Sequence, residues 1–576
     1  MDESLFREAP LRQAPLRIGL LVDSLTALPP VFRAVTEHIR RCNFATLELL
    51  VLNDSSDSQV RPPACSKVIR LLTDTMYRAR VLYSYYRQWD LRRSGLEDLQ
   101  MPVPCEDLFA GVPVIRVKPI AKRFVHRFPP EAVSEIQAHS IDVFFRFGFN
   151  ILRGDVLRSA HYGIWSFHHG DNEFYRGGPP GFWEMVEQNP LTGVILQVLT
   201  EELDAGHVLA KGIFATQPGL SLAWNRLQPY WGSVTFPIQK LRELYEFGWG
   251  HVERRSIPAK PYRGRRQIYR TPSASELTFW LASNLARKLA RRSTRSLTTG
   301  ATRDHWRLAV RRSGPLIVAS AKPDLSGFRE ISSPRGRFYA DPFLMEHAGE
   351  PWVFFEDFNY AERRGRIAAA PVDGLDLGSV VPVLDLPYHL SYPYLIRDGS
   401  ELFMIPESLN NNSVDLYRCE RFPDRWVKVR TLFSGAAVDT SVVRHGDRYW
   451  FFTTLVERRG HGIQSWLFHA PRIDGDWVRH RESPLSTDVR HSRSGGEILE
   501  FGDKLFRVTQ DCSGHYGRAF RLNEIVALDL DRYEERPGIP AEPHGNPSWV
   551  GTHTYARLGD LEIIDTCTRM PEQQLF

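Results

Sequence analysis

Two sets of side chains in this 576-residue chain could do chemistry. The first is a single stretch, SFHHGDNEFYRGGPPGFWE, at residues 166–184. It brings His168, His169, Asp171, Glu173 and Arg176 close together in sequence. Imidazoles and carboxylates are the groups that move protons near neutral pH. The same stretch also reads as a Gly-Pro turn whose polar residues are merely solvated. The second set is dispersed: Asp341 in YADPF, Tyr392 in SYPYL, Asp439 in AVDTS, Glu497 in SGGEI and His553 in GTHTY. Three of these five are carboxylates, the residue type that paired acid and base work on a glycosidic bond requires. The competing reading is local, since Asp before Pro or before Thr-Ser suits the end of a strand.

The elements that must position the first set alternate in type. LRIGLLVD (16–23) is a short apolar run, PPVFRAVTEHIRRC has apolar residues at helical spacing, and TLELLVL is again strand-like. This β-α-β order predicts an open, mostly parallel α/β sheet over residues 1–250. Residues 54–110 read as an irregular insertion. IDVFFRFGF and YGIWSFHH supply further buried strands, and the 166–184 loop leaves the carboxyl end of the latter. That edge is where ligands sit in open α/β sheets.

From about 313 to 576 the texture becomes all-β, with short strands separated by Gly-Asp, Asp-Gly and Pro turns. YADPFLMEHAGEPWVFFEDF is echoed by four later hairpins, at a spacing of roughly 45–57 residues, the size of one propeller blade. Five copies predict a five-bladed propeller whose innermost strands carry Asp341, Tyr392, Asp439, Glu497 and His553 into a central channel. A β-sandwich built of similar hairpins is the alternative.

Between the halves, residues 251–312 hold sixteen Lys or Arg against three acids. This predicts a basic helical linker. Its segment 276–293, ELTFWLASNLARKLARRS, supports two readings: a helix lying on an anionic membrane surface, or a linker helix packed on a neighbouring domain. With a net charge of only +5, nucleic acid is not an expected partner. The six cysteines show no metal-type spacing, so no metal is expected and free thiols fit best. The polar N-terminus and the lack of a long apolar run predict a cytoplasmic protein, peripheral to the membrane if 276–293 binds it.

Several linked pieces of the first half resemble the formyltransferase catalytic domain. They are His168, Arg176-Gly177, Pro180, Thr192-Gly193-Val194 and Leu203-Asp204-Ala205-Gly206. The resemblance implies 10-formyltetrahydrofolate as cofactor and an amine as acceptor. It makes His168 the oxyanion and proton-handling group and Asp204 its orienting partner or base. Gly177 and Gly206 would let backbone approach closely, and Gly148 and Asn150 would lie by the folate pocket. Ser166 stands where the family has Asn, and offers a shorter donor.

The second half resembles two groups. YADPF and AVDTS are similar to the five-bladed glycoside hydrolases, which implies Asp341 as base, Asp439 as tuning group and Glu497 as acid. His305-Trp306, FYADPFL, FFED, PES and QDCSGHYGR resemble the propeller of plant glucosamine inositolphosphorylceramide transferases. That kinship implies Glu356, Glu407, Gln510, Asp511 and Tyr516 near the channel mouth. The combined expectation is a folate-dependent N-formyltransferase acting on an amino sugar of a glycoconjugate, with a glycan-binding propeller. The alternatives are a propeller glycosidase or glycosyl-transferring enzyme with a degenerate formyltransferase-like module, and a non-catalytic glycolipid-binding scaffold in envelope assembly.

Overall fold

The structure is a computed structural model. It describes residues 4–55, 73–202, 206–217, 219–258, 260–296, 302–312, 316–320, 322–456, 463–544 and 546–575. The chain forms two compact units, residues 2–288 and 289–576.

The first unit is α/β. Its seven-stranded sheet runs in the order His207–Ala215, Leu191–Val198, Ile164–His168, Val143–Arg146, Leu16–Val22, Ala45–Asn53 and Val114–Val117. The five strands from Ile164–His168 to Val114–Val117 are parallel, and the remaining two join antiparallel. Leu16–Val22 is buried at all but one position, as expected of a strand covered on both faces. Helix Pro30–Arg41 starts on a proline and turns Val31, Val35 and Ile39 inward at helical spacing.

The stretch expected to be irregular instead carries a 20-residue helix, Thr75–Ser94. Asp74 caps it by accepting from the Met76 and Tyr77 N–H groups, and Gly95 ends it in the left-handed region. Only Ala79, Tyr83, Tyr86 and Asp90 of this helix are buried. That narrow inward stripe lies in an otherwise polar sequence, so helical periodicity is hard to read there.

The supposed linker also differs from expectation. Helix Ala274–Ser296 is present, but Thr302–Arg311 is a strand of the second unit, paired along its whole length with Leu561–Pro571. The β-rich part therefore begins near 302 and not at 313.

The second unit is built of antiparallel meanders. Four begin with strands Arg337–His347, Ser391–Asp398, Ala437–His445 and Arg493–Phe501. A fifth combines Tyr555–Leu558 and Leu561–Pro571 with Thr302–Arg311 from the start of the unit. The last two meanders join into one ten-stranded sheet through pairing at Gly496 and Tyr555. The first strands pack in succession: Arg337–His347 on Ser391–Asp398, then Ala437–His445, Arg493–Phe501 and Tyr555–Leu558, which packs back on Arg337–His347.

Candidate functional site

The leading strands share one irregularity. Their register breaks between Ala340 and Phe343, Ser391 and Tyr394, Val438 and Ser441, and Ser494 and Ile498. At the breaks Asp341, Tyr392 and Asp439 hold φ of 51°, 46° and 48°. Non-glycine residues rarely occupy that region, and such strain clusters where a side chain is aimed at a purpose. In the fourth strand Gly496 takes the positive φ, at 144°.

These breaks deliver a buried polar cluster. Asp341 accepts from the Thr554 hydroxyl at 2.9 Å and faces His553 Nε2 at 3.4 Å. The other ring nitrogen of His553 lies 2.7 Å from Asp565 Oδ2. Asp565 is fixed in turn by the backbone N–H groups of His553 and Thr554, at 2.8 and 3.0 Å. The result is a carboxylate–imidazole–carboxylate line. Burial raises the Asp341 carboxyl to about 6, with His553 opposing and Asp565 and Asp439 reinforcing the rise. Burial alone would lower His553, but the Asp565 and Asp341 charges outweigh it and hold the ring above its ordinary value.

Opposite the breaks, the second strands supply Glu356, paired with Ala340, and Glu407, paired with Ser391. Burial pushes both carboxyls well above the ordinary range, and each is pushed further by neighbouring acids of the cluster. Burial thus favours the protonated form of both. Asp439 forms an ion pair with Arg493 and accepts from Gln510 Nε2 at 3.1 Å. Arg493 reaches Glu407 at 3.8 Å, and its guanidinium sits 5.0 Å from the centre of the Tyr516 ring. Tyr516 is 52% exposed and meets Trp306 and His553 edge-on.

Asp341, Asp439, Glu407 and His553 are thus brought together, with Glu356, Gln510 and Tyr516. Glu497 is not. Its carboxyl accepts from the Leu344 N–H at 3.3 Å and is raised to about 8 by burial. The fourth register break spans one residue more than the others, so Gly496 takes the strained position and Glu497 points elsewhere. Asp511 also serves structure, paired with Arg518 and Arg521. Tyr392 is fully buried and bridges to Gly496, whose N–H donates to its hydroxyl at 2.7 Å. Arg493 and Asp565 were not singled out from the sequence. Asp565, an acid directly after two isoleucines in LEIIDTC, carried a usable signal. Asp341, His553 and Asp565 offer ligand atoms within 4.8 Å of one another and could hold a metal ion. As they stand, the His553 ring lies between the two carboxylates at ion-pair distance.

In the first unit, the residues expected to serve formyl transfer have the following surroundings. One ring nitrogen of His168 lies 2.7 Å from the Tyr175 carbonyl, which ties the strand end to its own loop. The Ser166 hydroxyl accepts from Arg146 Nε at 3.0 Å and is buried. Asp204 lies outside the described residues. His169 is stacked on Tyr230, with ring centres 3.8 Å apart, and burial lowers it to about 3, so it stays neutral. Lys211 pairs with both Asp171 and Glu173, at 2.8 and 2.7 Å. The glycines have packing reasons: a side chain at Gly177 would strike the Tyr269 carbonyl, one at Gly206 the Val198 carbonyl, and one at Gly148 the Asp23 backbone. The Asn150 amide contacts His126 at 3.1 Å.

Comparison with known proteins bears mainly on the second unit. A family model described as "Glucosamine inositolphosphorylceramide transferase 1, N-terminal" matches residues 319–562. The chain is similar to glucosamine inositolphosphorylceramide transferase 1 of Oryza sativa subsp. japonica, 32% identical over 250 residues, covering 41% of this chain and 32% of that protein. It is similar to the Arabidopsis thaliana protein of the same name, 29% identical over 267 residues, covering 44% and 34%. The chain spans about a third of the length of these curated relatives. Among solved structures it resembles an alpha-L-arabinanase of Cellvibrio cellulosa (12% identity, 34% of this chain and 77% of that one, TM-score 0.27). It also resembles glycinamide ribonucleotide transformylase 1 of Symbiobacterium toebii (13%, 40% and 88%, TM-score 0.26).

The expectation of folate-dependent N-formyl transfer is therefore corrected. The curated relatives carry the name glucosamine inositolphosphorylceramide transferase, not that of a formyl-transfer enzyme. In the first unit His168 and Ser166 make their contacts with the Tyr175 carbonyl and with Arg146 Nε.

Proposed function

We propose that the chain performs glycosyl-group chemistry on a glycoconjugate of the glycolipid type, and that its second unit is a five-bladed propeller holding the sugar at the Asp341–His553–Asp565 centre. The successive packing of the five leading strands supports the propeller. The relatives' name supports the substrate class.

The observation that carries the proposal is the line from Asp565 through His553 to Asp341. Asp341 is the base: with its carboxyl raised to about 6, it is mostly ionised at neutral pH yet still basic enough to take a proton. Asp565 holds the His553 ring so that Nε2 faces Asp341. Glu407, whose protonated form burial favours, is the donor to a leaving oxygen. Arg493 with Asp439 and Gln510 fixes the floor of the site, and the exposed Tyr516 ring gives a sugar an apolar face to lie on. The test is incubation of the purified chain with a panel of glycolipid headgroup glycosides and sugar donors, read by mass. Gain or loss of one sugar in wild type and not in Asp341→Asn is the expected result. No mass change with any member of the panel counts against the proposal.

The displaced Glu497 favours a second reading, in which the unit binds the glycan without turnover. Saturable binding of a headgroup glycoside, lost in Tyr516→Ala, with no product formed by wild type, would select it.

A further inference from the structure

Helix Ala274–Ser296 carries both buried and exposed apolar residues. One side is covered: Leu277 and Trp280 are buried in a core cluster with Tyr86, Phe182 and Trp183 of the first unit. The other side is open. Phe279 is 77% exposed, Leu285 54% and Leu289 55%. Leu277, Leu281, Leu285 and Leu289 are spaced by four residues. Each step of four advances 40° around a helix of 3.6 residues per turn, so the leucine row starts in the core and winds out to the surface.

The charge along this helix has one sign. Glu276 is its one acid, and Glu276 is held by Arg266 at 2.7 Å and by Ser273. Beyond it the sequence carries Arg287, Lys288, Arg291, Arg292 and Arg295, and the next acid is Asp304. A protein surface does not gain from presenting Phe and Leu to water beside a run of cations. An anionic bilayer does suit that combination, since the apolar side chains enter the headgroup boundary while the cations meet lipid phosphates. No helix among the described residues is long and apolar enough to cross a membrane.

We infer that helix Ala274–Ser296 is an interfacial anchor that lays Phe279 and Leu285 into an anionic lipid surface. The inference does not depend on the function proposed for the second unit.

The experiment is co-sedimentation of the full chain with vesicles of phosphatidylcholine alone, or with about a third phosphatidylserine, at about 0.1 M salt. Binding to the anionic vesicles with little binding to the neutral ones is expected. Because Phe279 and Leu285 are exposed, F279S/L285S should keep the wild-type thermal midpoint while weakening binding by about tenfold or more. R287E/K288E should weaken it by a similar factor. Lack of binding by wild type, equal binding to both vesicles, or undiminished binding by F279S/L285S would overturn the inference. Should F279S/L285S lose stability, Phe279→Trp decides: its added fluorescence should shift to the blue on anionic vesicles, and an unshifted spectrum would overturn the anchor.

Discussion

Asp565 Oδ2 lies 2.7 Å from His553 Nδ1, with both side chains buried. A ring held on that side can present only Nε2 to its other neighbour, and that neighbour is Asp341. Asp565 is thus a positioning residue. Asp565→Asn keeps the shape but makes the imidazolium less favourable, since the charge that raises His553 is removed. The expected result is a fall in glycoside turnover of about a hundredfold or more, with headgroup affinity little changed. Rate and binding measured on the same variant check this.

Asp341 makes stability depend on pH in a defined direction. Its folded-state carboxyl sits near 6, above the unfolded value. The folded state therefore binds more protons between roughly pH 4 and 6, and this group's contribution is lost as pH rises through that window. Asp341→Asn, neutral throughout, is expected to be more stable than wild type at pH 7.5 by on the order of 2 kcal/mol, and equal to it near pH 4. Denaturant unfolding at both pH values is the check.

Arg493 compensates a buried carboxylate. Removing it leaves Asp439 without its cation. Arg493→Met is expected to cost about 3–5 kcal/mol. The double variant Arg493→Met/Asp439→Leu should recover a large part of that loss. A single variant as stable as wild type would contradict the pairing.

In the first unit, one ring nitrogen of His168 meets the Tyr175 carbonyl. His168→Ala removes the bond to the Tyr175 carbonyl and should cost about 1–3 kcal/mol. Glycoside turnover at a permissive temperature should be unchanged. A collapse of turnover with stability intact would return a catalytic role to this histidine.

Much of the architecture is legible in the chain. LRIGLLVD, TLELLVL and IDVFFRFGF are apolar runs that only a sheet covered on both faces can hide, and they are three of its central strands. The repeat anchors Asp341, Tyr392 and Asp439 fall at matching register breaks because each hairpin repeats the same local pattern. Glu497 fails by one position: the fourth break is a residue longer, and a Gly-Gly pair accommodates strain that an acid elsewhere must bear. Glu356 and Glu407 come from second strands, where alternation alone does not reveal that the inward-facing residue is also paired with a strained partner. His168 poses a related problem. A histidine at a strand's carboxyl end reads the same whether it faces a ligand or ties down its own loop, and the Tyr175 carbonyl it meets is seven residues away.

The most direct test of the site is the pH dependence of sugar transfer or release by wild type and Asp341→Asn. Wild type should show a rising limb centred near pH 6 as Asp341 ionises, and Asp341→Asn should lose at least about a thousandfold in rate with no such limb. Turnover by Asp341→Asn at the wild-type rate, with the limb intact, would contradict the account.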